Sequence, residues 1–253
     1  MDPIESQRKR LLRQQTELHR LLLEPRQHDK AMQLFLVQHA MLHAGKMVQP
    51  PRRSFEDEVL DGMSEAQVRL VPPSGEHSVA WLIWHMARCE DITMNLLVRR
   101  GPQVLHQDGW LKRTRSTVRH TGNAMDRAEI TRFSNAVDVE ALRAYRIAVG
   151  RRTREIVADL TPAELKRKVA AESIQKVRDE EAVLEAAKEI TNYWSHRTVA
   201  GLLLMPASRH NLNHLSEALE LKRRLSREAQ KDASARARTG TRASASRSKR
   251  APR

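Results

Sequence analysis

The sequence predicts an all-α fold, and three observations lead to this prediction. Glycine and proline, the residues that interrupt helices, number only 9 and 10 among 253 residues. Apolar residues recur every three or four positions in several stretches, as they do on the buried face of an amphipathic helix. Residues that cap helices stand directly before many of these stretches. We therefore expect long helices around a shared core, not short strands joined by tight turns.

Residues 1–29 predict a charged helical extension. Leu11, Leu18 and Leu22 share one helix face, and Pro25 ends the helix. We interpret this segment as a solvated extension that packs against its neighbour; a dimerising helix, and hence a homodimer, is the alternative. Charged residues interrupt the leucines, and the apolar run Val79–Trp84 is far shorter than a bilayer requires. We expect neither a secretory signal nor a membrane span.

Residues 30–225 form the predicted helical domain. An apolar helix over 30–45 comes first. Further helix starts are marked by cap residues, namely Ser54 with Asp57, Ser64 with Gln67, Ser78, Asp126 with Glu129, Asp138, and Thr161 with Pro162 and Glu164. The helix after Ser78 is expected to run to about Val98, and the last helix from about Pro206 to Leu225. Residues 101–125, with scattered glycines and arginines, predict a long loop.

Residues 226–253 predict a disordered basic tail. They contain nine Lys or Arg and two Asp or Glu, a net charge of +7, which is half of the +14 of the whole chain. Such a composition cannot bury enough apolar surface to offset its ordering entropy. Basic segments contact nucleic acid or anionic surfaces by releasing counterions. Because no aromatic residue is interleaved, we expect such contact to be weak, nonspecific and salt-dependent.

Cys89 is the single cysteine of the chain. A lone cysteine excludes an internal disulfide framework and fits a reducing compartment, so we expect the protein in the cytoplasm. We interpret its side chain as a small, buried apolar group.

Histidine is the residue type that points to chemistry. The chain has 11 histidines, and two pairs are spaced four residues apart in predicted helices, His39 with His43 and His210 with His214. Residues four apart share a helix face, so two imidazoles can converge on one ion. His85 is the candidate third ligand, because it interrupts an apolar stretch and a buried imidazole needs a partner. Spacing alone leaves open the alternative of ordinary core histidines with hydrogen-bond partners.

The segment from His210 to His214 argues against one familiar metal chemistry. Its sequence is HNLNH, so the glutamate of an H-E-x-x-H metalloprotease is absent. A catalytic ion here would need a carboxylate from elsewhere as base, or a substrate that supplies its own nucleophile.

Two stretches resemble the DinB/YfiT-like family. Residues 75–91, GEHSVAWLIWHMARCED, are similar to its second-helix signature, and residues 205–214, MPASRHNLNH, are similar to its last-helix H-x-x-x-H. The resemblance spans about residues 30–225. It implies a four-helix bundle that binds one divalent cation, Zn²⁺, Ni²⁺ or Mn²⁺, through His85, His210 and His214. The chain departs from the family at His77, where Asn is frequent, and in its two terminal extensions. The spacing between the third and last helices is also long, which indicates an inserted helical segment.

The resemblance also implies a function. The family includes transferases and isomerases that use low-molecular-weight thiols. Three histidines leave a coordination position open, and a metal lowers the pKa of a thiol or water that binds it. The first hypothesis is therefore metal-dependent transfer of a small thiol to an electrophilic small-molecule substrate, with hydrolysis as the nearest variant. The alternative is a non-catalytic helical bundle whose basic tail contacts nucleic acid or anionic surfaces.

Several neighbouring residues have two interpretations. His39 and His43 either add a ligand or a supporting contact, or simply line the first helix at the bundle surface, which we favour. Glu90 and Asp91 either orient a ligand histidine or pair with an arginine such as Arg88. The tryptophans are interpreted as core residues, with pocket walls as the alternative: Trp81, Trp84 and Trp194.

Overall fold

The structure, a computed structural model, describes residues 3–73 and 77–248. Side chains are described up to Lys231, with that of residue 229 excepted. Residues 1–2, 74–76 and 249–253, which include parts of the predicted extension and tail and the first two residues of the stretch 75–91, lie outside the described residues. Over the described residues the chain is helical and forms no β-strand, with one isolated antiparallel bridge between Lys168 and Thr198. The all-α prediction is confirmed.

Thirteen α-helical segments follow one another in the described part of the chain. They are α1 (Pro3–Leu22), α2 (His28–Met41), α3 (Phe55–Leu60), α4 (Glu65–Arg69), α5 (Val79–Asp91), α6 (Trp110–Arg113), α7 (Arg127–Ala136), α8 (Val139–Ala158), α9 (Pro162–Leu165), α10 (Ala171–Asp179), α11 (Lys188–Ser195), α12 (Val199–Leu204) and α13 (His210–Ser248). A π-helical segment, Ile92–Arg99, extends α5, and a second one, Met205–Arg209, joins α12 to α13.

Four of these elements form the predicted four-helix bundle. Helix α5 packs against α8 and α13, while α2 contacts α8 and the segment Met205–Arg209. Every residue of α5 is buried, so this helix lies at the centre of the fold. Helices α9 to α12 lie between the third and last bundle helices, where the sequence predicts the inserted segment. No described helix combines the length and apolar character that a membrane crossing requires.

The predicted cap residues begin six of the helices, among them α5, which carries His85. Ser78 Oγ accepts a hydrogen bond from the Trp81 amide (2.9 Å), and Asp138 Oδ1 accepts one from the Ala141 amide (2.9 Å). Reciprocal capping boxes start α3, α4, α7 and α9 as predicted. A cap of this kind contributes about 1 kcal/mol and fixes where the helix starts. The cap at Ser78 therefore sets the register of α5 and with it the direction in which His85 points.

Helix α1 packs on the bundle. Leu11, Leu18 and Leu21 are buried, and α1 contacts α2 and α12. Leu12, next to the apolar stripe, is 41% exposed. The extension is therefore an outer layer of the same fold.

The structure differs from the sequence predictions in two segments. Helix α6 interrupts the predicted loop 101–125, because Trp110 is buried and anchors a turn too short to show periodicity. Helix α13 continues to Ser248, beyond the end near Leu225 that we predicted for the last bundle helix. Alanine and arginine, which are frequent after Leu225, have a high helix propensity and are compatible with this continuation. Leu225 is the last buried side chain among those described, and the described side chains of 226–231 are exposed.

Candidate metal centre

Three histidines from two bundle helices converge at one point. His85 lies in the middle of α5, and His210 and His214 lie on the first turns of α13. The ring centroids are 4.8 Å apart for His85 and His210, 4.9 Å for His85 and His214, and 4.5 Å for His210 and His214. The Nε2 atoms of His85 and His210 are 3.0 Å apart. The structure thus brings together the three histidines singled out from the sequence.

The other ring nitrogens determine where the lone pairs lie. His85 Nδ1 donates to the carbonyl oxygen of Thr121 (2.8 Å), and His214 Nδ1 donates to Glu217 Oε2 (2.9 Å). In both rings the lone pair is therefore on Nε2. Metal-bound imidazoles usually donate their second N–H to a carbonyl or a carboxylate, as these two do. Ligand atoms bound at about 2.0–2.1 Å in a tetrahedral site stand about 3.3 Å apart, close to the Nε2 separation of His85 and His210.

Burial keeps His85 and His210 in the neutral form that binds metals. Burial, assisted by the neighbouring imidazole of His214, lowers the pKa of His85 to about 3. Burial and the neighbouring His85 likewise hold the pKa of His210 well below its ordinary value. His210 Nδ1 is buried and has no hydrogen-bond partner among the described residues. The donor set fits a divalent cation, because His85 and His210 present neutral imidazoles whose Nε2 atoms are 3.0 Å apart, and the ring of His214 lies beside both.

Cys89 belongs to the same neighbourhood. Its Sγ lies 3.8 Å from His85 Nδ1 and 3.9 Å from His85 Nε2, and His85, Cys89 and His210 can offer ligand atoms within 4.8 Å of one another. Burial raises the pKa of the Cys89 thiol to about 12, so the sulfur keeps its proton near pH 7 unless a cation displaces it. The predicted burial of Cys89 is confirmed. Its contact with His85 gives an alternative set of three ligands, His85, Cys89 and His210, which has two histidines in common with the first set.

A pocket of about 450 Å³ opens over the histidines. Helix α11 supplies one wall, and the polar groups at its lining include Asn123 and the carboxylate of Glu189. Its apolar lining includes Trp81, Met125, Ile190, Tyr193, Trp194, Met205 and Pro206. Trp81 stacks between the rings of His77 and His85, with centroid distances of 3.9 and 4.7 Å. Trp81 and Trp194 are thus both core residues and pocket walls.

A second cluster lies between α2 and α5. His39, His43 and Glu90 are completely buried, so the interpretation of the two histidines as bundle-surface residues is wrong. His39 Nε2 donates to Glu90 Oε1 (2.8 Å), and Asn211 Nδ2 donates to Glu90 Oε2 (2.8 Å). Burial lowers the pKa of His39 to about 4. Burial would raise the pKa of Glu90, but its contacts with His43 and His39 outweigh that effect and lower it.

The two acidic residues of α5 have different partners. Glu90 orients His39 and not a member of the His85 group, whereas Asp91 accepts a hydrogen bond from Arg88 Nη1 (3.0 Å) and one from Tyr145 (2.6 Å). The residues that do support the candidate ligands are Thr121 and Glu217, which the sequence interpretation missed. Glu217 was detectable, since it follows His214 by three residues on the same helix face. Thr121 lies in an irregular segment and carried no such signal.

Comparison with known proteins identifies the family of the chain. No curated protein is significantly similar to the chain. The DinB superfamily, however, matches residues 56–218, which is more than half of the chain. The match includes α5 and the start of α13 with all three candidate ligands, while α1 and α2 precede it. The chain belongs to the DinB superfamily.

Proposed function

We propose that the chain is a divalent-metal-dependent enzyme that transfers a low-molecular-weight thiol to an electrophilic small molecule, with hydrolysis as the nearest variant. The observation that carries this proposal is the convergence of His85, His210 and His214 beneath an apolar pocket. Proteins of the superfamily generally bind a metal ion. The three imidazoles are the proposed ligands of Zn²⁺, Ni²⁺ or Mn²⁺.

An open position at the ion would suit a thiol. Three histidine ligands would leave at least one coordination position free, as in catalytic zinc sites, and all three histidines line the pocket. A bound divalent cation lowers the pKa of a thiol, so the thiolate forms near neutral pH. We expect this chemistry in the cytoplasm, where small thiols stay reduced.

The remaining pocket residues receive the reactants. The thiol sulfur forms a bond to the electrophilic carbon, and the leaving group departs with the bonding electron pair. Glu189 is the carboxylate among the pocket residues and the proposed acceptor of the thiol proton. The side chains of Trp81, Ile190 and Trp194 exclude water and favour an apolar or aromatic electrophile.

Metal analysis tests the site. Wild-type protein and a His210→Gln/His214→Gln variant are loaded with Zn²⁺, dialysed and analysed for bound metal. We expect the variant to lose about one equivalent per chain. A variant that retains the full metal content would contradict the assignment of these ligands.

Turnover tests the reaction. Metal-loaded protein is incubated with a panel of small thiols and a model aryl halide, and the thioether product is measured by mass spectrometry. We expect product with wild type, none with the His210/His214 variant, and a lower kcat with unchanged metal content for Glu189→Gln. Turnover of esters or amides in the absence of thiol would identify the hydrolytic variant instead. Absence of both turnover and thiol-induced thermal stabilisation would refute thiol transfer.

A further inference from the structure

We propose that His39, His43 and Glu90 form a second, separate site for a transition-metal ion, buried inside the bundle. This inference goes beyond the proposed function and does not depend on it. The site joins α2, which precedes the region matched by the superfamily, to α5 within that region.

The geometry of the side chains is that of ligands around one ion. His39 and His43 are four residues apart, and their ring centroids are 4.2 Å apart. His39 Nε2 lies 2.8 Å from Glu90 Oε1, and His43 Nε2 lies 3.1 Å from Glu90 Oε2. Donor atoms bound at about 2.0–2.2 Å to one cation stand about 3 Å apart. Each imidazole thus faces a different oxygen of one carboxylate at ligand-to-ligand spacing. A cation would take the place of the proton that His39 Nε2 donates to Glu90, and that proton would move to His39 Nδ1, which is buried without a partner among the described residues.

The contact between His43 and Glu90 needs a positive charge. His43 Nδ1 donates to the carbonyl oxygen of His39 (3.1 Å), so the lone pair of the neutral ring is on Nε2. That Nε2 is buried and has no hydrogen-bond partner among the described residues, although a carboxylate oxygen lies 3.1 Å away. Two acceptors at this distance repel each other unless a positive charge lies between them. A metal ion satisfies both; the competing explanation is a proton on His43.

The charge balance of the cluster favours the metal ion. Glu90 is completely buried, and its ion-pair partners among the described side chains are the two imidazoles. Arg146, a buried cation of the bundle, is paired with Glu56 at 2.7 Å. A buried carboxylate without a counter-charge is costly by several kcal/mol. A divalent cation would supply that charge without requiring a protonated imidazole in the apolar interior.

Asn211 extends the donor set and indicates the class of ion. Its Nδ2 contacts Glu90 Oε2, while its Oδ1 is buried and has no partner among the described residues. A half-turn of the amide would present Oδ1 in place of Nδ2 and give two nitrogen and two oxygen donors. Imidazole and carboxylate together favour Zn²⁺ and its first-row neighbours over Ca²⁺ or Mg²⁺, which prefer oxygen ligands. Four protein donors that fill the coordination of a cation are typical of a structural site.

Metal stoichiometry in paired variants tests the second site. Wild type, His39→Gln/His43→Gln and His210→Gln/His214→Gln are loaded with Zn²⁺, dialysed and analysed, with folding checked by circular dichroism. We expect about two equivalents in wild type and about one in each double variant. Gln38→Leu is the matched control, since Gln38 is equally buried on α2 and bonds to Gln15 outside the cluster. It should keep both equivalents.

Anomalous scattering at the zinc edge keeps the proposal testable if the α2 variant does not fold. Crystals of the zinc-loaded wild type should show a peak between His39, His43 and Glu90, separate from any peak at His85 and His210. A wild-type chain with no peak at the buried cluster, or an α2 variant with undiminished zinc, overturns the proposal. Wild-type crystals with a peak at the buried cluster and none at the His85 group would instead contradict the proposed function and leave the buried site intact.

Discussion

Glu217 connects the candidate metal centre to the protein surface, and its replacement tests whether it positions His214. Its Oε2 accepts from His214 Nδ1, and its Oε1 accepts from His77 Nδ1, each at 2.9 Å. Glutamine is nearly isosteric but offers one acceptor oxygen and one NH₂ donor. In Glu217→Gln, one of the two imidazoles must therefore lose its hydrogen-bond acceptor. Either loss makes the position of a ring at the site less well defined.

The size of the effect follows from the exposure of the carboxylate. Removing a partner of a ligand histidine typically weakens metal binding 10- to 100-fold. The Glu217 side chain is 44% exposed, so water replaces part of the lost interaction. We expect about a tenfold loss of affinity, or about 1.4 kcal/mol, for Glu217→Gln. Glu217→Ala leaves both imidazoles without an acceptor and should lie nearer the hundredfold limit.

Competition with a chromophoric chelator measures this change on metal-free protein titrated with Zn²⁺. Glu220→Gln is the matched control, since Glu220 is an exposed carboxylate on the same helix that pairs with Arg223. We expect the control to bind like wild type. Equal affinities for Glu217→Gln and wild type, or an equal loss in the control, would refute the assignment of Glu217 as the residue that positions His214.

Three further predictions concern stability and surface charge. A change from glycine to alanine stabilises an ordinary helix, but Gly150→Ala should lower the free energy of unfolding, measured with urea, by about 1–3 kcal/mol. The reason is that the added Cβ would lie 2.3 Å from Met47 Sδ and 2.7 Å from His43 Cδ2. A more stable variant would contradict this prediction. Metal-free protein should lose stability as the pH falls from about 6.5 to 4, because the unfolded chain protonates histidines that burial keeps neutral in the folded protein. The pKa is about 4 for His39 and about 3 for His85. Denaturation at neutral and acidic pH measures this change, and a free energy of unfolding that does not vary with pH would refute it. Removing residues 226–253 takes away a net charge of +7 and should abolish any weak, salt-dependent DNA binding of the full chain; binding that survives the truncation would place the contact on the bundle.

The sequence predicted the parts of the fold and site that depend on local signals. Ser78 and Asp138 start their helices as capping chemistry requires, and His85 was conspicuous because it interrupts an apolar run. The pair His210 and His214 was visible from its spacing of four residues. These features depend on residues within one or two helical turns, so a linear sequence reveals them.

The parts that the sequence did not reveal depend on tertiary contacts. Helix α2 carries apolar residues around its circumference, and Val37 remains 55% exposed, so its pattern did not show that His39 faces the core. The partner of His39 is Glu90, 51 positions away on another helix. Thr121 supports His85 through a backbone carbonyl, and every residue type offers that group. No side-chain pattern could therefore have marked it.

The candidate ligands and the walls of the pocket come from different helices. The histidines come from α5 and α13, whereas Glu189, Ile190, Tyr193 and Trp194 reach the pocket from α11 in the inserted segment. A change of sequence in α11 can therefore alter the shape and polarity of the cavity while the imidazoles keep their places in the bundle. Relatives with a different segment at this point should accept different reactants around the same three rings, and exchanging α11 between them should transfer that preference.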